Sequence, residues 1–515
     1  MNRNENLRRL EAETFDLCVI GGGASGAGCA LDAALRGLRV ALIEKTDFAA
    51  ETSSRSTKLI HGGVRYLEQA FRKLDFGQLR QVRHGLEERH ILLQNAPHLA
   101  RPLGLLTPVF GWWEGLYFSI GLRLYGWFAA GRDHLPPSRW LSKKEALRRM
   151  PTLSPRLHSA VLYYDGQFDD ARYCLAIVQS AAEAGAVVAN HLEVVGFQKD
   201  SSGQLCAADA REAFSGNVFS VRARQFLNCT GPFADRLRLA ANADSRPRIR
   251  PSKGIHIVLP PEVLGSADAM LIPKTRDGRV VFAIPFEGRT MLGTTETEHP
   301  DLGAEPLPTP AEVDFLLETA QPFLAQKLDA ASVKASFGGL RPLLAAPEKR
   351  AAKNLLRDHE VEHDPASGLV SLLGGKWTTY RLMARDAVDF VCQKLGNAEP
   401  CRTATHRLAG AENFAPAAWP QLRAAFGLPE DVCRHLLEKY GSRAAKVAAL
   451  TRDRPELAAR ILEGWPFIRA EIVHAARAEM ACTADDFLAR RLRLAFTDRA
   501  AAQAAAPVVE AFLQG

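Results

Sequence analysis

Residues 15–45, FDLCVIGGGASGAGCALDAALRGLRVALIEK, decide the fold. DLCVI is typical of a buried parallel strand, and a turn with the spacing G-x-G-x-x-G follows at Gly21, Gly23 and Gly26. AGCALDAALR then predicts a helix, and LRVALIE predicts a second buried strand that ends at Glu44. A glycine-rich surface turn is the alternative for the turn alone. The whole strand–turn–helix–strand unit indicates a dinucleotide-binding fold.

Each glycine of the turn has its own expected role. The first allows the tight turn, the second lets the backbone approach a pyrophosphate, and the third lets helix and strand pack closely. The helix N-terminus favours the pyrophosphate charge. An acid at the end of the second strand bonds a ribose hydroxyl and argues against a 2′-phosphate, so NAD and FAD both remain open. The expected contacts are Gly21, Gly23, Ala24, Ser25, Gly26, Glu44 and Lys45.

Three later segments extend the cofactor site. QFLNC ends before Thr230 and Gly231, and it is similar to a strand end that passes close to the cofactor in flavoproteins. GAVVANHLEVVGF predicts main-chain contacts of Glu193 and Val194 with an adenine. LVSLLGGKWTT predicts a strand and then a helix from about Thr378, whose N-terminal NH groups suit the N1–C2=O region of a reduced flavin. That last chemistry favours FAD over NAD.

These cofactor segments are far apart in the chain, so a second domain must be inserted between them. The fold class that we predict is α/β: a Rossmann-like FAD-binding domain, an inserted antiparallel β-sheet substrate domain and a C-terminal helical domain. The predicted ranges are 14–100, 155–250 and 340–395 for the FAD-binding domain, 101–154 and 251–339 for the substrate domain, and 400–515 for the helical domain.

The insert is β-rich. IRPSKGIHIVLP, GRVVFAIPFEGRTMLGTTETE and KASFGGLRPLL predict strands that roof the flavin. A histidine such as His256 is more often structural than catalytic, whereas Arg341, between a glycine pair and a proline, has no packing role to play. The polar groups at these strand ends are Lys253, His256, Thr294, Thr295, Glu296 and Arg341.

Residues 100–137 are apolar and aromatic, but charges, glycines and prolines interrupt them, so they are a poor transmembrane span. Trp113, Tyr117, Ile120, Leu124 and Trp127 recur at helical spacing. Two readings stay open. The helix lies in a membrane interface, where Trp and Tyr are favoured, or it is buried against the substrate domain.

From about residue 400 the pattern becomes helical, in AAWPQLRAAFG, EDVCRHLLEKYGSRAAKVAALTRD, AARILEG and IRAEIVHAARAEMACTADDFLARRLRLAF. No cofactor motif occurs there, which indicates a cap or docking domain with solvated charged faces.

The chain of 515 residues carries a formal net charge of +7 without a concentrated basic block, so we expect no nucleic-acid partner. None of its nine cysteines forms a C-x-x-C pair, so we expect no metal site and free thiols in a reducing compartment. The N-terminal residues lack the apolar core of a signal peptide.

Six motifs occur together: VIGGGASGAG, SSRSTKLIHGGVRYLE, SKGIHIVLP, GTTETE, FGGLRPL and GGKWTTYR. In this order the chain resembles the FAD-dependent glycerol-3-phosphate dehydrogenases, within the D-amino-acid-oxidase-like flavoproteins, over nearly its whole length. The resemblance implies oxidation of sn-glycerol 3-phosphate to dihydroxyacetone phosphate by hydride transfer from C2 to FAD. It also implies that electrons pass on to a membrane quinone, with the protein peripheral on an anionic surface, the cytoplasmic face of the cell membrane. A homodimer is a further possibility.

The resemblance also implies residue roles. Arg65 and Arg341 would hold the phosphate, with Tyr66, His61, His256, Thr294 and Lys376 around the glycerol and the flavin. Residues expected on FAD, beyond those of the first turn, are Thr52, Ser53, Ser54, Thr57, Lys58, Leu59, His61, Gly62, Glu193, Val194, Thr230, Gly231, Gly375, Lys376, Trp377 and Thr378. Two positions depart from the pattern: Glu296 replaces an aspartate, and Arg55 replaces a small residue and has no role that we can predict.

The general base stays open. His256 is one candidate, because imidazole titrates near working pH. Arg341 is a poor base, so we expect substrate binding and charge stabilisation from it, and Lys376 would stabilise negative charge. The alternatives are an oxidase that uses oxygen, an amine or hydroxy-acid oxidase of the same superfamily, and a non-catalytic flavoprotein or flavin-dependent RNA modifier.

Overall fold

Two sheets and a set of C-terminal helices make up the protein. The computed structural model describes residues 1–62, 76–129, 135–273, 275, 278–299, 301–345 and 359–513, and the side chains of all of these except 76–81 and 123–129. The strands are β1 (Thr14–Ile20), β2 (Val40–Ile43), β3 (Leu59–Ile60), β4 (Ala100–Val109), β5 (Arg139–Ser142), β6 (Ser159–Phe168), β7 (Val187–Ala189), β8 (Leu192–Lys199), β9 (Leu205–Glu212), β10 (Val218–Asn228), β11 (Ile249–Leu259), β12 (Ala269–Ile272), β13 (Val281–Phe286), β14 (Arg289–Gly293), β15 (Thr297–Glu298), β16 (Ala335–Leu344), β17 (His359–His363) and β18 (Val370–Gly374). The helices are α1 (Arg3–Ala12), α2 (Ala24–Leu35), α3 (Phe76–Asn95), α4 (Trp112–Ala129), α5 (Lys143–Arg149), α6 (Asp170–Glu183), α7 (Ala234–Ala241), α8 (Pro310–Ala320), α9 (Tyr380–Leu395), α10 (Trp419–Phe426), α11 (Glu430–Tyr440), α12 (Ala444–Asp453), α13 (Arg469–Ala478), α14 (Leu494–Thr497) and α15 (Arg499–Leu513).

The first sheet carries the dinucleotide-binding unit. Its strand order is β17-β18-β10-β1-β2-β7, and β18, β10, β1, β2 and β7 run parallel. β2 is buried along its whole length, as expected for a parallel strand that helices cover on both faces. Helix α2 packs against α6 and α9 on one face of this sheet. The predicted Rossmann-like domain is therefore confirmed.

The second sheet has the order β15-β11-β14-β13-β12-β4-β6-β3, with β16 beside β11 and β5 beside β6. Its pairs are antiparallel except for β12 with β4. β3 and β6 belong to this sheet, although their residues fall inside the ranges that we predicted for the FAD-binding domain. The antiparallel substrate sheet thus begins earlier in the chain than the apolar pattern indicated.

The C-terminal region is helical, as predicted, but two of its segments differ from the pattern. Residues 459–464, in the AARILEG stretch, contain no helix, and a β-bridge pairs Arg460 with Ile468. The long final pattern is broken after α13, where Met480 adopts a φ of 55°, and again at Arg493, with a φ of 67°. Left-handed backbone at these two positions ends one helical segment and starts the next.

Helix α4 exposes the apolar stripe that the sequence predicts. Trp113 is 75% exposed and Ile120 53%, and Tyr117 lies beside them on the same face. On the opposite face Leu122 is buried in the core of the second sheet, together with the half-buried Phe118. Within the described residues, no helix combines the length and the apolar character needed to cross a bilayer.

Candidate active site

A large cavity lies between the two sheets. Its volume is about 760 Å³, and its lining includes the β1–α2 turn, most of residues 49–59, the start of β8, and parts of strands β11 and β16. Sites for cofactors are concave and largely preformed, and this one is long enough to hold a dinucleotide at one end and a small substrate at the other. The chemistry of the lining changes from one end to the other.

The dinucleotide end is shaped by glycines that no other residue can replace. Gly21 has a φ of 111°, and a Cβ there would lie 2.6 Å from the carbonyl oxygen of Cys229. A Cβ on Gly26 would overlap the carbonyl oxygen of Gly21. At the N-terminus of α2 the Ala24 N–H donates to Ser53 Oγ at 2.9 Å. This cradle of bare backbone and a helix N-terminus fits the pyrophosphate of FAD.

Glu44 lies where the ribose is expected. Its Oε2 accepts from the Gly22 N–H at 2.7 Å and its Oε1 from the Thr46 N–H at 2.9 Å. Burial raises the pKa of Glu44, and those two N–H donors oppose the rise. The carboxylate is therefore held in one orientation at the edge of the cavity.

The FAD loop, residues 52–59, connects three parts of the site. The indole Nε1 of Trp377 donates to the Ser53 carbonyl at 2.9 Å, which joins the loop to the start of α9. Thr52 Oγ1 donates to the Leu340 carbonyl at 2.6 Å, and Arg55 Nη1 donates to the Gly338 carbonyl at 3.0 Å. Arg55, whose role could not be predicted from the sequence, thus fastens the loop to β16.

Arg341 lies at the other end of the cavity. Its Nη2 donates to Thr294 Oγ1 at 3.1 Å and to the Thr295 carbonyl at 3.2 Å. Gly254 on β11 leaves room for the guanidinium, because a Cβ there would lie 2.6 Å from both Arg341 Nη1 and Thr294 Oγ1. Neighbouring strands therefore combine to aim one cation into the cavity.

His256 lies between the two ends. Its Nε2 and Thr57 Oγ1 hydrogen-bond at 3.0 Å, and its ring stacks on Phe337 with 5.1 Å between centroids. Its Nδ1 has no hydrogen-bond partner within the described part of the chain. Burial lowers the pKa of His256 well below its usual value of 6.5, and the charges of Lys58 and Arg341 lower it further. The ring is therefore neutral across the physiological range.

The structure brings most of the expected residues to one cavity but not all. Lys58 and Ser54 are buried behind the loop, where Lys58 Nζ donates to Asp170 Oδ2 at 2.7 Å instead of facing the ligand space. Burial lowers the pKa of Lys58 to about 7, against the opposing effect of Asp170. Gly26 and Gly62 also do not line the cavity. Arg65 and Tyr66 lie outside the described residues.

The expected residues that line the cavity are Gly21, Gly23, Ala24, Ser25, Glu44, Lys45, Thr52, Ser53, Thr57, Leu59, His61, Glu193, Val194, Thr230, Gly231, His256, Thr294, Arg341, Gly375, Lys376, Trp377 and Thr378. Sequence reasoning missed Arg279, Tyr163 and Asp165, which also line it. It missed Phe118 and Leu122 too, which bring the inner face of α4 to the same cavity. No motif marks these positions, which come from one strand, a helix and the loop before β13.

Elsewhere, His191, Cys482 and Asp486 come together as candidate metal ligands. Asp486 Oδ2 already contacts His191 Nε2 at 2.9 Å and accepts from the Cys482 and Thr483 N–H groups. These hydrogen bonds already occupy the carboxylate oxygen, which caps the backbone N–H groups of the preceding turn.

Comparison with known proteins agrees with this geometry. Residues 16–381 match the family model "FAD dependent oxidoreductase", and residues 401–515 match "C-terminal domain of alpha-glycerophosphate oxidase". A mitochondrial glycerol-3-phosphate dehydrogenase of Arabidopsis thaliana is 42% identical over 97% of this chain and 82% of its own length. The mitochondrial glycerol-3-phosphate dehydrogenase of Homo sapiens is 41% identical over 98% of this chain and 71% of its own length.

A solved structure is also similar. The glycerol-3-phosphate dehydrogenase from Bacillus halodurans complexed with FAD superposes with a TM-score of 0.80 at 30% identity, over 99% of this chain and 93% of that one. FAD as the cofactor and the resemblance described from the motifs are both confirmed. The chain belongs to the family of FAD dependent oxidoreductases and carries the C-terminal domain of the alpha-glycerophosphate oxidase type.

Proposed function

We propose that this enzyme oxidises sn-glycerol 3-phosphate to dihydroxyacetone phosphate. The observation that carries the proposal is the position of Arg341, whose guanidinium lines the same cavity as the cofactor cradle. A planar guanidinium suits a phosphate, which it can bind through two parallel hydrogen bonds. The names of the relatives that match over nearly the whole chain point to the same substrate.

The substrate phosphate binds at Arg341, and Thr294 orients the guanidinium by accepting a hydrogen bond from it. The sequence resemblance adds Arg65 and Tyr66 to the phosphate and glycerol contacts. With the phosphate fixed at the strand end, the glycerol carbons extend toward His256 and the FAD loop.

The imidazole of His256 is suited to hydrogen-bond the C2 hydroxyl group of the substrate. Its ring lines the cavity with Nε2 bonded to Thr57 Oγ1, while Nδ1 is buried, so Nε2 is the nitrogen that can meet a substrate hydroxyl. Burial and the nearby charges of Lys58 and Arg341 make the protonated ring costly, so we expect His256 to orient the C2 hydroxyl by a hydrogen bond rather than to hold its proton. FAD, when bound, supplies the hydride acceptor for C2. Lys376, on the cavity wall at the start of the segment leading to α9, places a positive charge where negative charge develops.

The electron acceptor that we propose is a membrane quinone. The inner face of α4 brings Phe118 and Leu122 to the cavity, while its outer face exposes Trp113, Tyr117 and Ile120. Tryptophan and tyrosine favour the boundary between lipid headgroups and acyl chains. This helix would place the protein on the inner face of the cell membrane, with one wall of the cavity next to the lipid.

Two experiments test the proposal. Turnover with an artificial dye acceptor is measured for glycerol 3-phosphate, glycerol, glycine and sarcosine; activity with glycerol 3-phosphate alone is expected, and equal activity with the amino acids would indicate an amine oxidase. Hydrogen peroxide formed under air is then compared with reduction of a soluble quinone. The name of the matched C-terminal domain makes an oxygen-using oxidase the second candidate, and peroxide equal to substrate consumed would establish it.

A further inference from the structure

A buried ion cluster lies directly behind the FAD loop. Asp170, at the start of α6, accepts from Lys58 Nζ at 2.7 Å through Oδ2 and from Arg493 Nη2 at 3.0 Å through Oδ1. Solvent reaches 1% of the Lys58 side chain and none of the other two. Arg493 comes from the C-terminal domain, more than three hundred residues away in sequence.

Both cations of the cluster also hold the loop backbone. The Ser54 carbonyl accepts from Lys58 Nζ and from Arg493 Nη2, each at 2.7 Å. Ser56 adds a third link, since its N–H and its hydroxyl donate to Asp170 Oδ2 at 3.0 and 2.7 Å. The buried ion cluster thus holds the loop at alternate residues, Ser54, Ser56 and Lys58. We call these three contacts the grips.

The residues next to these grips, Ser53 and Thr57, face the cavity. Ser53 Oγ accepts from the N-terminus of α2, and Thr57 Oγ1 meets His256. Any shift of Ser54 or Ser56 would therefore displace groups on the cofactor side. The contacts of the loop with the buried ion cluster therefore set the position of the loop residues that face the cavity.

The backbone at the grips is strained, which indicates that the cluster determines it. Lys58 has a φ of 60° and Arg493 a φ of 67°. Such backbone in residues other than glycine persists only where the surroundings over-determine it. Buried charges are costly unless their geometry is well satisfied, so stability alone is a weak reason for such a cluster.

We propose that Arg493 is a positioning residue of the FAD site, supplied by the C-terminal domain. Through the Ser54 carbonyl and the Asp170 carboxylate it fixes the FAD loop against the cofactor. The C-terminal domain, which brings no cofactor motif of its own, thereby completes the cofactor site. FAD binding, rather than the identity of the substrate, is what this role controls.

The test compares two buried arginines that join the same domains. Arg493→Met removes the grip on the loop. Arg172→Met is the matched control: Arg172 Nη1 donates to Glu479 at 2.8 Å and its Nη2 to the Lys439 carbonyl at 3.0 Å, so it links α6 to the C-terminal domain without holding the loop. FAD release from the holoenzyme is followed by the rise in free-flavin fluorescence, each variant being held equally far below its own Tm.

Arg493→Met is expected to release FAD about tenfold to a hundredfold faster than the unmodified protein, the size expected for lost hydrogen bonds from a charged donor. Arg172→Met should release it at the unmodified rate, and Arg493→Lys should restore part of the retention. The visible flavin spectrum should change in Arg493→Met alone. Equal release from Arg493→Met and Arg172→Met at matched temperatures would overturn the proposal.

A second pair of variants covers the case in which Arg493→Met does not fold. Ser56→Ala removes the hydroxyl grip on Asp170, and Arg493→Lys shortens the other grip while keeping its charge. Both should speed FAD release, and their combination should speed it by less than the product of the two effects, because both act through Asp170. If neither variant speeds release, the proposal is wrong.

Discussion

Thr57 Oγ1 and His256 Nε2 hydrogen-bond at 3.0 Å, which joins the FAD loop to β11 of the substrate sheet. The loop reaches this point from the dinucleotide-binding unit, and β11 reaches it from the opposite sheet. The histidine is buried, lies near two positive charges and stays neutral. Its protonation therefore has consequences for both stability and turnover.

The free energy of unfolding should fall as the pH falls below about 6.5, because the unfolded chain then protonates His256 while the folded protein keeps it neutral. The slope from this one group is at most about 1.4 kcal/mol per pH unit. Urea unfolding of the holoenzyme between pH 5 and pH 7.5, at roughly half-unit steps, measures it. His256→Gln, which can still bond Thr57, should lose that part of the slope; an identical slope in the variant would show that His256 does not stay neutral.

Arg341→Ala should raise the KM for glycerol 3-phosphate by about a hundredfold or more, because a charge-assisted pair with the phosphate is lost. The FAD content of the purified protein should not change. Arg250→Ala is the control. Arg250 also belongs to the second sheet, but its side chain lies on the surface, paired with Glu298. An unchanged KM in Arg341→Ala would remove Arg341 from the substrate site.

Gly254→Ala tests the same site without touching the arginine. A methyl group there would enter the space of the Arg341 guanidinium and the Thr294 hydroxyl, so the guanidinium must move. We expect a KM raised by about tenfold, the effect of roughly 1.4 kcal/mol, with FAD retained. Steady-state kinetics and the ratio of flavin to protein absorbance measure the two quantities. Loss of FAD with an unchanged KM would contradict the arrangement described.

Gly26→Ala should weaken FAD binding. The new methyl group overlaps the Gly21 carbonyl, so the turn that receives the pyrophosphate must open. Overpacking of this kind costs about 1–3 kcal/mol, or roughly tenfold to a hundredfold in affinity. The matched control is Gly121→Ala on α4, where a Cβ meets open space. Flavin content after gel filtration distinguishes them, and retention of FAD by Gly26→Ala would count against the cradle.

Trp113→Ser combined with Ile120→Ser should weaken binding to anionic lipid vesicles. Each exposed apolar side chain contributes about 1.5–3 kcal/mol when it is fully buried in lipid, so the pair should reduce binding by at least about tenfold. Val218→Ser, an equally exposed apolar residue on the FAD-binding domain, is the control. Co-sedimentation measures the bound fraction. If the unmodified protein does not bind vesicles, the membrane role of α4 is wrong.

The dinucleotide-binding unit could be predicted because its evidence is local. The apolar run of β1, the glycine turn and Glu44 lie within one short segment, and each has a separate physical reason. The discontinuous domains could be predicted in outline, but β6 pairs in the second sheet because tertiary pairing, and not its apolar pattern, chooses its partners.

The contacts between the FAD loop and the buried ion cluster could not be predicted from the sequence. Lys58 was expected on the cofactor because it lies in the right motif, whereas the structure turns it toward Asp170. Asp170 and Arg493 carry no motif, and their pairing spans 323 positions. The spacing in a single sequence does not reveal contacts of that range.

The most direct test of the central claim is anaerobic mixing of the holoenzyme with sn-glycerol 3-phosphate while the visible absorbance band of the bound flavin is recorded. The band should bleach with glycerol 3-phosphate and not with glycerol, and in Arg341→Ala it should bleach only at much higher substrate concentration. Dithionite serves as the control for a reducible flavin. A band that dithionite bleaches but glycerol 3-phosphate leaves unchanged would show that glycerol 3-phosphate is not the substrate.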